Sequence, residues 1–231
     1  MAILAGGLAK RLRPITEKIP KSLVDVAGKP FISRQLDYLR GQGVARVVVC
    51  IGHLGEHIRA VIGDGRTFGL KALYSEDGAA PLGTGGALKH ALPMLGEQFF
   101  VLYGDSYLPC DFRAVQRAFV HSGKSAIMTV MRNEDRWDKS NVLFREGRIV
   151  EYNKRAPRPE MEYIDYGLGI LSATMLDPYP HDRAFDLADV YRDLSQSDRL
   201  AGFEVTERFY EIGSPEGLKA AEAYFSAREI A

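Results

Sequence analysis

The sequence predicts an α/β fold in which a mostly parallel sheet is flanked by helices and extended by antiparallel strands. In the first half, short apolar runs bounded by glycine alternate with stretches whose apolar residues recur at helical spacing. In the second half, strand-like runs follow one another with few helices between them. With 231 residues, of which 46% are hydrophobic, the chain fits one domain spanning residues 1–231 better than two domains with thinner cores.

The first half contains four predicted strands that alternate with four predicted helices. The strands are residues 1–4, 44–51, 70–74 and 99–102, and the helices are residues 30–41, 55–62, 84–92 and 111–121. Asp111 suits the N-cap position of the last helix, because its carboxylate can accept backbone N–H groups. Ligands of parallel sheets bind beyond the carboxyl ends of the strands. We therefore expect functional groups in the loops that follow Leu4, Ile51, Tyr74 and Leu102.

The second half has a different pattern. Its predicted strands are residues 126–132, 141–144, 148–152, 163–171 and 203–212, and its predicted helices are residues 182–194 and 215–228. Because few helices separate these strands, we expect them to extend the core of the first half with antiparallel neighbours.

Charge and cysteine content exclude several classes of protein. Thirty basic residues balance thirty acidic ones, so a dedicated nucleic-acid-binding protein is not expected. Residues 1–46 nevertheless hold nine Lys and Arg against three Asp and Glu, which allows a local anion site. Cys50 and Cys110 form no C-x-x-C pair, and no apolar run is long enough to span a bilayer. We expect a cytoplasmic protein without a membrane segment.

The opening of the chain is the strongest local signal. A short apolar strand runs into Gly6 and Gly7, and three cations, Lys10, Arg11 and Arg13, follow closely. Glycines let the backbone approach a ligand, and the N–H groups and cations together suit a polyphosphate. The sequence matches neither G-x-G-x-x-G nor G-x-x-x-x-G-K-S/T. Judged by spacing alone, a tight turn with solvated cations remains the alternative.

Six segments, in order, resemble the motifs of the sugar-1-phosphate nucleotidyltransferases. They are residues 6–14 (GGLAKRLRP) with Pro20-Lys21, residues 81–88 (PLGTGGAL), Gly104-Asp105, residues 152–154 (YNK), residues 165–167 (DYG) and residues 211–216 (EIGSPE). The resemblance covers nearly the whole chain. It implies a Rossmann-like, GT-A-like fold and an enzyme that joins a nucleoside triphosphate to a sugar 1-phosphate and releases pyrophosphate. It also implies a nucleotide-binding half of about residues 1–125, a sugar-phosphate-binding half of about residues 126–231, and a monomer or homodimer.

The resemblance implies a role for each matching residue. The catalytic residues are Arg11, Lys21 and Asp105, and the ligands of a Mg²⁺ cofactor are Asp105 and Glu211. Independently of the resemblance, Asp105 is a suitable magnesium ligand, because it follows an apolar strand and Mg²⁺ takes one or two carboxylates plus phosphate oxygens. The expected nucleotide-binding residues are Leu4, Ala5, Gly6, Gly7, Lys10, Arg11, Glu76, Pro81, Gly83 and Thr84. The expected sugar-phosphate-binding residues are Asn141, Asn153, Lys154, Asp165 and Gly167.

The chain departs from the family pattern mainly on the sugar side. Ala9 and Lys10 replace Gly-Thr, Asn153 replaces a glutamate, Asp165 replaces an asparagine, and Glu211 replaces an aspartate. We therefore expect the sugar, rather than the triphosphate, to be the unusual substrate. A non-catalytic sensor of nucleotide sugars is the alternative from another class, and retention of all three expected catalytic residues counts against it.

The base is expected to be guanine. A carboxylate such as Glu76 can accept the N1–H and N2–H₂ donors of guanine, whereas uracil and thymine offer one imide donor. Residues 81–88 also look most like guanylyltransferases that act on mannose or manno-heptose 1-phosphates. UTP, CTP and dTTP are the alternatives.

One segment matches a zinc motif by chance. Residues 53–57 read H-x-x-E-H, which places two histidines on one helical face in some zinc hydrolases. Gly55 weakens a helix there, so ordinary loop and surface histidines are the preferred interpretation.

Overall fold

The central element is a twisted sheet whose strands come from both halves of the chain, in a computed structural model that describes residues 1–7, 10–181 and 183–229. The strands of the described chain are β1 Ala2–Leu4, β2 Asp25–Val26, β3 Lys29–Pro30, β4 Arg46–Ile51, β5 Lys71–Glu76, β6 Gln98–Tyr103, β7 Ser106–Tyr107, β8 Ala126–Arg132, β9 Val142–Arg145, β10 Arg148–Tyr152, β11 Tyr163–Ser172, β12 Leu200–Glu204 and β13 Tyr210–Glu211. The helices are α1 Phe31–Gly41, α2 Gly55–Ile62, α3 Gly83–Ala91, α4 Phe112–Ser122, α5 Leu187–Gln196 and α6 Pro215–Glu229.

Nine of the described strands form the main sheet in the order β5-β4-β1-β6-β11-β8-β12-β10-β9. Strands β5, β4, β1 and β6 are parallel, and β11 joins β6 in the antiparallel sense. Strand β12 then runs parallel to β8, and β9 and β10 form an antiparallel edge. The predicted α/β fold, with a mostly parallel sheet and added antiparallel strands, is confirmed. The β6–β11 pairing makes the two halves one continuous sheet.

Helices cover both faces of this sheet because each presents an apolar stripe to it. One core cluster includes Leu88 of α3 and Leu187 of α5, and the other includes Leu36 of α1, Ile58 of α2 and Val115 of α4, all at most 1% exposed. Burying one such side chain contributes about 1.5–3 kcal/mol. A third, smaller cluster packs α6 against the two short two-stranded ladders. Among the described helices, none has the length and hydropathy that crossing a membrane requires.

Two expected elements differ from the structure. The predicted strand 203–212 is two strands, because the chain leaves the main sheet after Val205, whose N–H donates to the carbonyl of Val130 at 2.8 Å. Tyr210 then pairs with Tyr107 in a separate ladder. The helix expected from residue 182 begins at Leu187, because Asp186 caps it by accepting the N–H of Ala188 at 2.9 Å. Asp182 itself lies outside the described residues.

The carboxyl ends of β1, β4, β5 and β6 meet at one edge of the sheet. The N–H of Ala5 donates to the carbonyl of Cys50, and that of Gly104 donates to the carbonyl of Leu4, both at 2.9 Å. The loops leaving β1, β4 and β6 therefore lie side by side, and the candidate site is built on them.

Candidate active site

Two cavities open at this edge and share a wall. The first, of about 440 Å³, is lined by Gly6, Gly7, Gly83 and Gly104 among others, and we call it the glycine cavity. The second, of about 580 Å³, is lined by five aromatic side chains, and we call it the aromatic cavity. These aromatic side chains are Tyr103, Trp137, Tyr152, Tyr166 and Phe209. Tyr103, Asp105 and Lys154 line both cavities and therefore mark their junction.

The glycine cavity depends on close backbone approach. A Cβ on Gly6 would lie 3.2 Å from the nitrogen of Gly52, and one on Gly104 would lie 3.0 Å from the carbonyl oxygen of Leu4. Gly83 has φ +72° and faces the carbonyl oxygen of Phe185, 2.5 Å from where its Cβ would stand, so only glycine fits there. Seven of the expected nucleotide-binding residues line this cavity: Leu4, Ala5, Gly6, Gly7, Pro81, Gly83 and Thr84.

Thr84 has a structural task besides lining the cavity. Its hydroxyl donates to the Asp186 carboxylate and accepts the N–H of Leu187, both at 2.8 Å. The carbonyl of Phe185 accepts the N–H of Gly85 at 3.0 Å. The glycine-rich segment of residues 81–88 is thus held against the start of α5.

The acidic side chain that the end of β5 contributes to the glycine cavity is Asp77 and not its neighbour Glu76. Glu76 lies outside both cavities, where its exposed carboxylate forms an ion pair with Arg59. The Asp77 Oδ2 atom accepts the N–H of Leu82 at 3.3 Å, and burial raises the pKa of this carboxyl above its ordinary value. Side chains alternate at the end of β5, where Ser75 is buried and Glu76 exposed. That alternation could have identified Asp77 from the sequence.

Lys21 and Asp105 form an ion pair at the junction. Lys21 lies in a short 3₁₀ turn, Lys21–Leu23, and Asp105 follows β6 directly after Gly104. Their side chains are 21% and 23% exposed, so both keep access to a ligand. The structure therefore brings together two of the three residues expected to be catalytic.

Arg11 and Glu211 approach the same point from the opposite side. Glu211 pairs with Ser106 across the β13–β7 ladder, and the N–H of Ile212 donates to the carbonyl of Asp105 at 3.0 Å. A Cβ added to Gly213 would lie 2.5 Å from Glu211 Oε2, 3.1 Å from Arg11 Nη2 and 3.4 Å from Asp105 Oδ2. Two carboxylates and one guanidinium thus converge on a space that exists because residue 213 has no side chain.

Glu211 is also anchored to the start of α6. Its carboxylate accepts the N–H of Gly213 and, at 2.8 Å, the hydroxyl of Ser214. Within the described ranges, no group of three or more His, Cys, Asp or Glu side chains could hold a metal ion, the H-x-x-E-H segment included. An ion between Asp105 and Glu211 would take its other ligands from substrate and water.

The expected sugar-side residues form a hydrogen-bonded run along the aromatic cavity. The Asn141 side-chain oxygen accepts the N–H of Asp165, whose carboxylate accepts the N–H of Gly167, both at 2.9 Å. Asn141, Lys154, Asp165 and Gly167 line the cavity. Asn153 lies outside it, and its side-chain oxygen accepts the N–H of Ala156 at 3.0 Å.

The charge state of Asp165 is set by its surroundings. Burial raises the pKa of this carboxyl to about 6, although the N–H of Gly167 and the charge of Lys154 lower it. Asp165 therefore keeps its proton to a higher pH than an exposed aspartate does.

Arg11 lines the aromatic cavity rather than the glycine cavity. Leu8, Ala9 and the side chain of Lys10 lie outside what the structure describes, so the expected contribution of Lys10 to nucleotide binding stays a prediction.

Two loops supply further cavity residues that sequence reasoning missed. Trp137, from the loop before β9, and Phe209, from the loop before β13, pack edge to face with ring centroids 6.0 Å apart. The guanidinium carbon of Arg208 lies 5.5 Å from the centroid of the Trp137 ring and 5.1 Å from that of Tyr210. Trp137 is the only tryptophan of the chain, which is the one sequence signal that could have drawn attention to this loop.

Comparison with known proteins agrees with this geometry. The profile of the family described as "Nucleotidyl transferase" matches residues 1–141. This chain belongs to the nucleotidyl transferase family. The nucleotidyltransferase is 32% identical to N-acetylmuramate alpha-1-phosphate uridylyltransferase of Neisseria meningitidis, over 97% of each chain.

Two further comparisons involve guanine, one through the name of the relative and one through the GMP-PN bound in a solved structure. The nucleotidyltransferase is 26% identical to D-glycero-alpha-D-manno-heptose 1-phosphate guanylyltransferase of Campylobacter jejuni, over 93% of this chain and 94% of that one. Its fold is similar to that of HddC from Yersinia pseudotuberculosis complexed with GMP-PN, with a TM-score of 0.79 and 28% identity over 97% and 98% of the two chains. The chain is therefore an enzyme that transfers nucleotidyl groups, and its relatives differ in base and sugar.

Proposed function

We propose that this nucleotidyltransferase joins a nucleoside triphosphate to a sugar 1-phosphate, giving a nucleoside diphosphate sugar and pyrophosphate. The observation that carries the proposal is the meeting of two cavities at Asp105 and Lys154, where Lys21 forms an ion pair with Asp105. The glycine cavity offers backbone groups and little bulk, as a nucleotide requires. The aromatic cavity offers polar groups and ring faces, as a sugar requires. The names of the relatives support this pairing of substrates.

The reaction brings two anions together. A phosphate oxygen of the sugar 1-phosphate attacks the α-phosphorus of the triphosphate, and the bond from that phosphorus to the α,β-bridging oxygen breaks, releasing pyrophosphate. The protein's task is to position the reactants and offset their charge, and no covalent intermediate is required. Lys21 and Lys154 line the glycine cavity where the reacting phosphates would meet, and Arg11 lines the aromatic cavity close to Asp105.

A magnesium ion fits the pair Asp105 and Glu211. Their carboxylates converge on the space above Gly213, and Mg²⁺ uses one or two carboxylates while substrate phosphates and water complete its coordination. When bound, the ion supplies Lewis-acid stabilisation of the charge on the phosphates. Arg11 approaches the same space and would neutralise the leaving pyrophosphate.

We further propose GTP as the triphosphate, with Asp77 in the role that the sequence suggested for Glu76. Asp77 lines the glycine cavity beside Pro81 and Gly83. A carboxylate there can accept two donors from the guanine edge but only one from uracil or thymine. The GMP-PN bound to one relative supports guanine, and the guanylyltransferase name of another also supports a sugar ring of the manno-heptose type. The uridylyltransferase name of a third relative keeps UTP as the alternative.

The test is a matrix of GTP, UTP, CTP and dTTP against mannose, manno-heptose, glucose and N-acetylmuramate 1-phosphates, scored by pyrophosphate release. We expect release only when both substrates are present, with kcat/KM for GTP at least about tenfold higher, which is about 1.4 kcal/mol. A pyrimidine triphosphate preferred by the same factor contradicts the choice of base. Tight binding of a nucleotide sugar without release in any combination would instead support a non-catalytic sensor.

A further inference from the structure

We propose that Arg208 binds an anionic substituent, a carboxylate or a second phosphate, on the sugar at the end of the ring away from C1. This inference rests on the proposed function for the reaction and adds a chemical class to its sugar. It depends on where Arg208 lies, how it is held and which partners it lacks.

The first observation is where Arg208 lies in the aromatic cavity. Lys154 and Asp105 line both cavities, so the 1-phosphate of a bound sugar belongs at the junction that they mark. Arg208 and Trp137 line only the aromatic cavity. With its 1-phosphate at the junction, a sugar in the aromatic cavity has the rest of its ring available to Arg208.

The second observation is how the guanidinium is held. Its carbon lies 5.5 Å from the centroid of the Trp137 ring and 5.1 Å from that of Tyr210, and Phe209 supports Trp137 from the side. Contact with aromatic rings leaves the N–H edge of arginine free to make two parallel hydrogen bonds. That edge matches the two oxygens of a carboxylate or phosphate better than a single hydroxyl.

The third observation is the absence of a protein anion for this cation. Among the residues that the structure describes, Arg208 forms no ion pair, and its contacts are to aromatic rings. Arg136 lines the same cavity and is paired with Glu134 at 2.7 Å. A guanidinium in a substrate cavity without a carboxylate partner is available to an anionic group of the substrate.

Nearby acidic groups are engaged with their own loops. The Asp138 carboxylate accepts the N–H of Lys139 at 2.8 Å, and the Asp165 carboxylate accepts the N–H of Gly167 at 2.9 Å. Glu211 is held by Gly213 and Ser214. Asp138, Asp165 and Glu211, three of the acidic residues that line the aromatic cavity with Arg208, therefore already accept backbone or side-chain donors.

The experiment uses three sugars that differ only at C6. They are mannose 1-phosphate, mannuronate 1-phosphate with a carboxylate, and mannose 1,6-bisphosphate with a second phosphate. With GTP and Mg²⁺, we expect one charged sugar to exceed mannose 1-phosphate at least about tenfold in kcat/KM, and the preferred one identifies the anion. Arg208→Gln should remove most of that preference and leave kcat/KM for mannose 1-phosphate within about twofold.

The matched control is Arg136→Gln, in the same cavity but at a paired arginine, and it should keep the preference. Melting temperatures of both variants should equal that of the wild type, because both arginines are exposed. No preference for either charged sugar, or an equal preference in Arg208→Gln, overturns the inference.

Direct binding separates this inference from the proposed function. Titration calorimetry with the same three sugars, without triphosphate, should give a lower Kd for a charged sugar, and Arg208→Gln should raise that Kd about tenfold. If no combination releases pyrophosphate while this binding difference appears, the proposed function fails and the inference holds. If mannose 1-phosphate is turned over and the three sugars bind equally, the inference alone fails.

Discussion

The two cavities that meet at Asp105 are built by different means. The glycine cavity is formed largely by backbone at the ends of parallel strands, where Gly6, Gly83 and Gly104 let neighbouring segments approach. The aromatic cavity is formed by side chains from antiparallel strands and from two loops, including Trp137 and Arg208. Backbone groups can bind the phosphates of any nucleotide. Side chains that line a cavity can be substituted without disturbing the sheet. If the proposed function holds, the binding of the nucleotide and the choice of sugar depend on separable parts of the fold.

The largest effect is expected at the junction, which belongs to both cavities. Asp105→Asn should preserve the melting temperature and lower kcat roughly 100-fold or more, because it removes a preorganised charge aimed at the reacting phosphates. Asp198→Asn is the matched control, since Asp198 pairs with Lys124 at 2.7 Å away from both cavities. Near-normal turnover of Asp105→Asn in magnesium would show that this carboxylate is not a metal ligand.

The next largest losses of kcat are expected from substitutions of the cations around the junction. Lys21→Ala and Arg11→Ala should each lower kcat at least about tenfold, because each would neutralise phosphate charge. Lys124→Ala removes the lysine of a comparable ion pair, and Arg40→Ala removes an exposed arginine of α1; both should remain within about twofold of wild type. Equal and small effects of all four substitutions in steady-state assays would remove the case for an anion site at the junction.

Specificity for the base should depend on the glycine cavity alone. Asp77→Asn should lower the ratio of kcat/KM for GTP to that for UTP by about tenfold, because an amide oxygen is a weaker acceptor for guanine than a carboxylate. Glu76→Gln, at the adjacent position outside the cavity, should leave the ratio unchanged. A loss of specificity in Glu76→Gln and not in Asp77→Asn would reverse this assignment.

The smallest effect is expected for Asp165, and it is a change in how the melting temperature depends on pH. Burial raises the pKa of this carboxyl to about 6, so the folded protein holds its proton more tightly than the unfolded chain does. The resulting stabilisation is present at pH 4 and is lost as the pH rises through about 6. Compared with Asp165→Asn, the wild type should therefore show a falling melting temperature between pH 4 and pH 6. Parallel curves for the two proteins would contradict the raised pKa.

Most of the fold followed from periodicity, and the errors arose where the chain leaves the sheet. The predicted strand 203–212 spans two apolar segments separated by the polar residues 206–208. Only Leu200–Glu204 pairs with β8, because the later aromatic residues pack against other elements. A hydrophobic pattern indicates that a residue is buried, but it does not indicate which element packs against that residue. The predicted start of α5, at residue 182, was also wrong, because Asp186 caps the helix and fixes its start at Leu187.

The site was predictable where a side chain follows a strand directly. Asp105 and Lys154 each follow the end of a strand closely, and the sequence placed both in the site. Trp137 and Arg208 reach the aromatic cavity from loops, whose course the sequence pattern does not specify. The sequence suggested Glu76 as the acceptor for the base, whereas strand alternation directs its neighbour Asp77 to the cavity.

The central claim is that the joined cavities transfer a nucleotidyl group to a sugar phosphate. Phosphorus NMR of the wild-type enzyme with GTP, Mg²⁺ and the three C6-matched mannose phosphates tests it most directly. We expect diphosphate signals of a sugar-linked nucleotide and of pyrophosphate in equal amounts, and neither signal when the sugar phosphates are omitted. Release of pyrophosphate without a sugar phosphate, or formation of GDP and inorganic phosphate instead, would contradict it.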